Sequence, residues 1–300
     1  MVVESKQTIK DACAATEPVL SGRRFATGLL AVAILVFALI MRSQLTHGYL
    51  LEHNFHGGID SPVLALELAG DERELRMVLG TEDPADVGPK TNPGLAIACL
   101  RTNTFEDFFF ILLYTSFLWA FAGLFAIRAD GSPMAHRWAI ACLAVLTALF
   151  DCAENVGILR ALGATHLSDS TAQAICWPSR CKWTVFGLAL LLTGWLLTRS
   201  ASPIYSLPSR RLLALAYGVA GALLMIGLMR PHVIEIAISV FAILIVIHVI
   251  GLLGPFVERS RLLRPEIPVY VEDFCNRKRQ MRADVAVYSE TTLGKRGETQ

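Results

Sequence analysis

Charge is what this 300-residue chain has least of: Asp, Glu, Lys and Arg make up 18% of it, against about 25% in soluble domains. The charges it does have are clustered, so long stretches carry none. Also missing are a Walker motif, GxGxxG, HExxH and GxSxG. Those patterns cradle phosphates, seat dinucleotides, hold catalytic zinc or expose a serine nucleophile. A P-loop ATPase, the usual dinucleotide fold and a zincin therefore have no sequence support. The seven cysteines show no structural-zinc spacing. The net charge is only +1, and basic residues border the apolar runs without forming a patch, so no nucleic-acid partner is expected.

What is present is apolar length. The chain is 54% hydrophobic, with a mean hydropathy of +0.50. A bilayer core needs roughly 20 mostly apolar residues per helix. Six runs meet or approach that: 25–41, 105–127, 138–159, 183–198, 212–229 and 233–253. They predict an all-α, polytopic membrane bundle of six transmembrane helices, residues 25–254. Polar tails at 1–24 and 255–300 flank it. Arg23-Arg24 before the first run resembles a twin-arginine signal. Met41-Arg42-Ser43-Gln44-Leu45 offers no small-x-small cleavage site, which favours an uncleaved first helix.

Six spans put both termini on one side. With that side inside, it holds eighteen of the 27 Lys and Arg, and the tight connections 128–137 and 199–211 are basic. Positive residues concentrate on the cytoplasmic side, so both termini are expected in the cytoplasm and the bundle in the plasma (inner) membrane. Loop 43–104 then lies outside and is too long for a plain connector. Ser61-Pro62 ahead of an apolar stretch reads as a helix start. Asp71-Glu72-Arg73-Glu74 has the capping-box arrangement. Two short amphipathic helices on the outer surface are expected there. Ala214, Gly218 and Ala222, with Gly221 nearby, are small residues at a spacing that permits close helix packing in lipid.

Against this apolar background, Asp151, Glu154 and Asn155 stand out inside the third run. Spacings of three and four place them on one helical face. Carboxylates in hydrocarbon cost several kcal/mol, so they should face protein, water or a bound ion. Asp151 lies 14 residues past Arg137, about 21 Å at 1.5 Å per residue, which is the outer part of the membrane. Glu106, Asp107 and Glu235 fall at the same level, with Arg160, Arg180, Lys182 and Arg230 as candidate counter-charges. The acids either lock helices together through ion pairs or form a ligand or catalytic site.

His53 and His56 are three apart and could share a metal with outer carboxylates, although Gly57-Gly58 argues for a turn there. Cys176 and Cys181 flank Pro178 in an expected outer loop, where a disulfide is a candidate. The tail residues Arg277, Lys278, Arg279 and Arg282 form a basic cluster suited to anionic lipid.

Three features occur in order over roughly residues 60–160: Leu66-Glu67-Leu68-Ala69 before a short helix, Asp107 with Tyr114 seven later, and Asp151-x-x-Glu154-Asn155. In these the chain resembles a family of uncharacterised, mainly bacterial, integral membrane proteins. The resemblance implies that Glu67, Asp107, Asp151, Glu154 and Asn155 form one set, and it assigns them no activity. Tyr114 joins them as a ligand-orienting candidate. The seven-helix metal-dependent lipid hydrolases that include alkaline ceramidases use Ser, Asp and several His. This chain has only His248 within a span. The expected function is cation or small-solute binding in an outward-facing acidic pocket, for transport or sensing. Alternatives are an intramembrane lipid-directed hydrolase, with or without a metal, and a membrane scaffold or assembly partner.

Overall fold

The computed structural model describes residues 2–48, 55, 58–81, 93–126, 135–200 and 204–262. Among these the chain is all-helical, in eight helices: α1 (Val2–Gly48), α2 (Pro62–Leu68), α3 (Glu72–Leu79), α4 (Pro93–Phe125), α5 (His136–Gly163), α6 (Asp169–Arg199), α7 (Leu207–Gly227) and α8 (His232–Leu262). Six of them, α1 and α4–α8, contain stretches long and apolar enough to cross a membrane. The architecture expected from the apolar runs is therefore present. From Gly254 onward, only 254–262 are among the described residues. His53, His56, Arg277, Lys278, Arg279 and Arg282 lie outside the described residues.

The helix ends follow local chemistry. Ser61, Asp71, Ser168 and Ser206 each cap a helix by accepting an N–H two or three residues into it, which satisfies one of the orphan donors at a helix start. Gly80 closes α3 with φ of 67°, a left-handed conformation that glycine adopts without steric cost. α1 is continuous from Val2, so the polar stretch 2–24 is helical instead of an irregular tail.

Packing joins α6 to α7 and α5, and α4 to α1 and α5. The α6–α7 crossing is close because it is made of small residues. A Cβ on Gly194 would stand 2.6 Å from the Ala214 carbonyl oxygen, and one on Gly221 would stand 2.7 Å from that of Gly187. Ala222, expected in the same stripe, is exposed. α8 is held by Leu252 and Leu253 against Gly28 of α1 and by the ring of Phe241 edge-on to Phe186, 5.2 Å away.

Two corrections bear on the site. α2 does not lie on the surface: Leu64 through Leu68 are all buried, and the helix packs against α5 and α6. An apolar helix without a polar face finds its minimum inside the bundle. Only α3 is amphipathic in the expected sense, burying Leu75, Val78 and Leu79. Secondly, α6 begins at Asp169, so the segment taken for an outer loop around Pro178 is helix. Proline is tolerated within buried membrane helices because neighbouring groups satisfy the freed carbonyl.

Candidate functional site

Antiparallel α4 and α5 bring their polar residues together as two rungs. Asn155 donates from Nδ2 to Asp107 Oδ2 at 2.8 Å, and the Tyr114 hydroxyl donates to Asp151 Oδ2 at 2.9 Å. The spacings explain the match. Tyr114 follows Asp107 by two turns down α4, while Asn155 follows Asp151 by one turn up α5, so both pairs meet across one helical interface.

Lys182 of α6 enters between these rungs. Its Nζ lies 2.8 Å from Glu154 Oε1, 3.1 Å from Asp151 Oδ1 and 3.1 Å from Glu67 Oε2. The ammonium donates hydrogen bonds to Asp151 and Glu154 and pairs with Glu67 as an ion. Its charge also sits 4.8 Å from the centre of the Trp183 ring. Lys182, Asp151, Glu154, Asn155 and Glu67 are all buried. Arg160, Arg180 and Arg230 are exposed, so one lysine takes the role for which several cations were candidates.

Glu67 is the contribution of the inserted helix α2. Beyond Lys182, its Oε2 accepts from Trp183 Nε1 at 3.1 Å and Ser179 Oγ at 3.4 Å. α2 is fixed at both ends. Glu235 Oε1 of α8 accepts the backbone N–H groups of Asp60 and Ser61 at 3.0 and 2.7 Å. At the other end the Cys176 thiol donates to the Leu68 carbonyl at 3.8 Å.

The cysteines named as a disulfide candidate lie apart in this structure. Cys176 and Cys181 are free thiols on one helix. Their five-residue separation corresponds to a rise of about 7.5 Å, beyond the roughly 7 Å Cα separation that a disulfide spans.

A cavity of about 230 Å³ lies against the cluster, lined by Glu67, Asp107, Tyr114, Asp151 and Lys182, with Thr147, Phe110, Trp183, Phe186 and Phe241 among its other walls. Three carboxylates thus contact one ammonium, and a fourth, Asp107, lines the adjoining cavity. Glu154 Oε2 is buried with no hydrogen-bond partner among the described residues. No group of three or more His, Cys, Asp or Glu is disposed to hold a metal ion among the described residues.

No family model, curated protein or solved structure matches the chain. The site must be read from its own geometry. All six residues singled out in the sequence as ligand-binding candidates (Glu67, Asp107, Tyr114, Asp151, Glu154 and Asn155) belong to this one network. Lys182, one of four candidate counter-charges in the sequence, proves to be its centre, and Trp183 was missed. The signal lay in Ser168-Asp169-Ser170-Thr171, a capping sequence that starts α6 fourteen residues ahead of Trp183.

A second polar centre joins α7 and α8. His248, fully buried, has Nδ1 2.8 Å from the Tyr205 hydroxyl and Nε2 2.8 Å from that of Tyr217. A neutral imidazole offers one donor and one acceptor, so one tyrosine donates to the ring and the other accepts from it. The Phe121 ring closes the pocket edge-on, 4.5 Å away. Every polar atom of the imidazole is satisfied, and this centre acts as a tie between helices.

Proposed function

We propose that this multi-pass membrane protein binds a cation or small solute in an acidic pocket facing the outside of the plasma membrane, for transport or sensing. One observation carries the reading: Glu67, Asp151 and Glu154 gather around the single ammonium of Lys182, and Asp107 lines a cavity of about 230 Å³ beside them. An ion-pair lock would need one acid per base and no space. Here the acids outnumber the base, and burying unpaired negative charge is expensive. A positively charged occupant lowers that cost, and the cavity gives it room.

Placing the pocket on the outer side rests on the distribution of Lys and Arg, which favours both termini in the cytoplasm. A Thr81→Cys variant reports it: a membrane-impermeant maleimide should label that position in intact cells, and labelling only after lysis reverses the orientation. Binding is read by thermal unfolding of purified protein in detergent against a panel of salts and small solutes. A ligand that raises the melting temperature of the native protein should lose its effect with Asp151→Asn and Glu154→Gln together. Unchanged melting with every cation and solute would remove the proposal.

A further inference from the structure

The cavity has two kinds of wall, and their combination specifies more than charge. Resting on the reading of this space as a cation pocket, we infer that its ligand is a small organic ammonium ion, held by Asp107 and enclosed by Phe110, Tyr114, Trp183, Phe186 and Phe241.

The protein already demonstrates that chemistry with a cation of its own. The ammonium of Lys182 is bound by carboxylates and stands over the face of Trp183. A tetra-substituted or protonated nitrogen is stabilised the same way, by a carboxylate and by the negative faces of aromatic rings. Lys182 hydrogen-bonds to Asp151 and Glu154 and forms an ion pair with Glu67, which leaves Asp107 as the acid lining the cavity outside that set. Its one side-chain hydrogen bond here comes from neutral Asn155. The space beside it shares the Trp183 wall and adds Asp107, Phe110, Phe186 and Phe241, with Lys182 at its edge already engaged by its own three carboxylates.

Other occupants fit less well. Calcium or magnesium takes six or more oxygens at 2.0–2.6 Å, and no group of three or more His, Cys, Asp or Glu disposed to hold a metal exists among the described residues. Either would also leave most of the space unfilled, since a water in the liquid occupies roughly 30 Å³ and the cavity is about 230 Å³. An anion meets surplus carboxylates. A neutral apolar molecule would fill the aromatic walls but leave Asp107 uncompensated.

Choline chloride and its uncharged isostere 3,3-dimethylbutan-1-ol are the decisive pair of probes, read by tryptophan fluorescence and by melting temperature in detergent. Choline should change the emission of Trp183 and raise the melting temperature at millimolar concentration. The isostere should bind about tenfold or more weakly. Asp107→Asn should weaken choline by a similar factor. Phe186→Leu, which keeps the acid, should also weaken it, so the proposal stays testable if Asp107→Asn does not fold. Equal binding of the two probes, or no response to choline, overturns the organic-ammonium assignment. If sodium or magnesium chloride instead stabilises the protein through Asp151 and Glu154, the broader cation pocket survives and this inference fails. Silence from every salt and solute defeats both.

Discussion

Replacing Lys182 by methionine keeps the unbranched stem and most of the volume while removing the charge and all three donors. The consequence is larger than the loss of one surface ion pair, which is worth about 0–1 kcal/mol. Three carboxylates stand 2.8–3.1 Å from the ammonium, and both sides are buried. At an effective dielectric of about 20, each attraction is worth roughly 5 kcal/mol before desolvation is counted. Desolvation offsets most of that, and breaking one buried pair typically costs about 3–5 kcal/mol. Lys182→Met should fall at or above the top of that range, because three acids are left facing one another. At roughly 2–4 °C per kcal/mol, the melting temperature in detergent should drop by on the order of 10 °C or more. The same argument predicts rescue. Lys182→Met combined with Asp151→Asn and Glu154→Gln replaces mutually repelling acids by amides that hydrogen-bond to each other and should recover at least half of the loss. Both proteins are compared by thermal unfolding at one detergent concentration. A Lys182→Met protein within about 1 kcal/mol of the parent, or a triple variant no better than the single one, would refute the account of Lys182 as the shared counter-charge.

The anchor of α2 predicts a local effect. Glu235→Ala removes the acceptor for the Asp60 and Ser61 amides and should speed hydrogen exchange across 59–69 about tenfold; unaltered exchange means the anchor is dispensable. At the α6–α7 crossing, Gly194→Val drives a side chain into the Ala214 carbonyl and should cost about 1–3 kcal/mol or more. Gly218→Ala, where a Cβ meets nothing within 4 Å, should be neutral or stabilising by up to about 1 kcal/mol. Equal melting of the two variants would contradict the close crossing. For the cysteines, alkylation after denaturation without reductant should modify both Cys176 and Cys181, and a mass two hydrogens lighter with those thiols protected would restore the disulfide.

How much could be read in advance depended on whether a residue's role was fixed by its neighbours in sequence. The six spans follow from composition alone, and α2 and α3 were marked by Ser61-Pro62 and Asp71 with Glu74 because caps are local chemistry. The acids Asp151 and Glu154 announced themselves as charge where charge is costly. Lys182 stood out only as one of four possible counter-charges, because Pro178 between two cysteines looked like a turn and placed the lysine at the edge of a loop. Only the continuation of α6 through Pro178 turns it inward. The burial of α2 was equally hidden: a helix expected on the outer surface is held inside by the contacts of Glu67 with Lys182, Trp183 and Ser179. Both misreadings concern one long-range contact, and single-sequence patterns do not encode partners 112 to 116 residues apart.

The order of these charges along the chain also poses a problem of biogenesis. Glu67, Asp107, Asp151 and Glu154 all leave the ribosome before Lys182 does. The last of them precedes it by 28 residues, roughly one to six seconds at about 5–20 residues per second. During that interval the fifth helix carries its acids toward the bilayer with no base to receive them. Arrival of the sixth brings the base that pairs with them, and a pause in translation between the two should leave the nascent protein open to degradation.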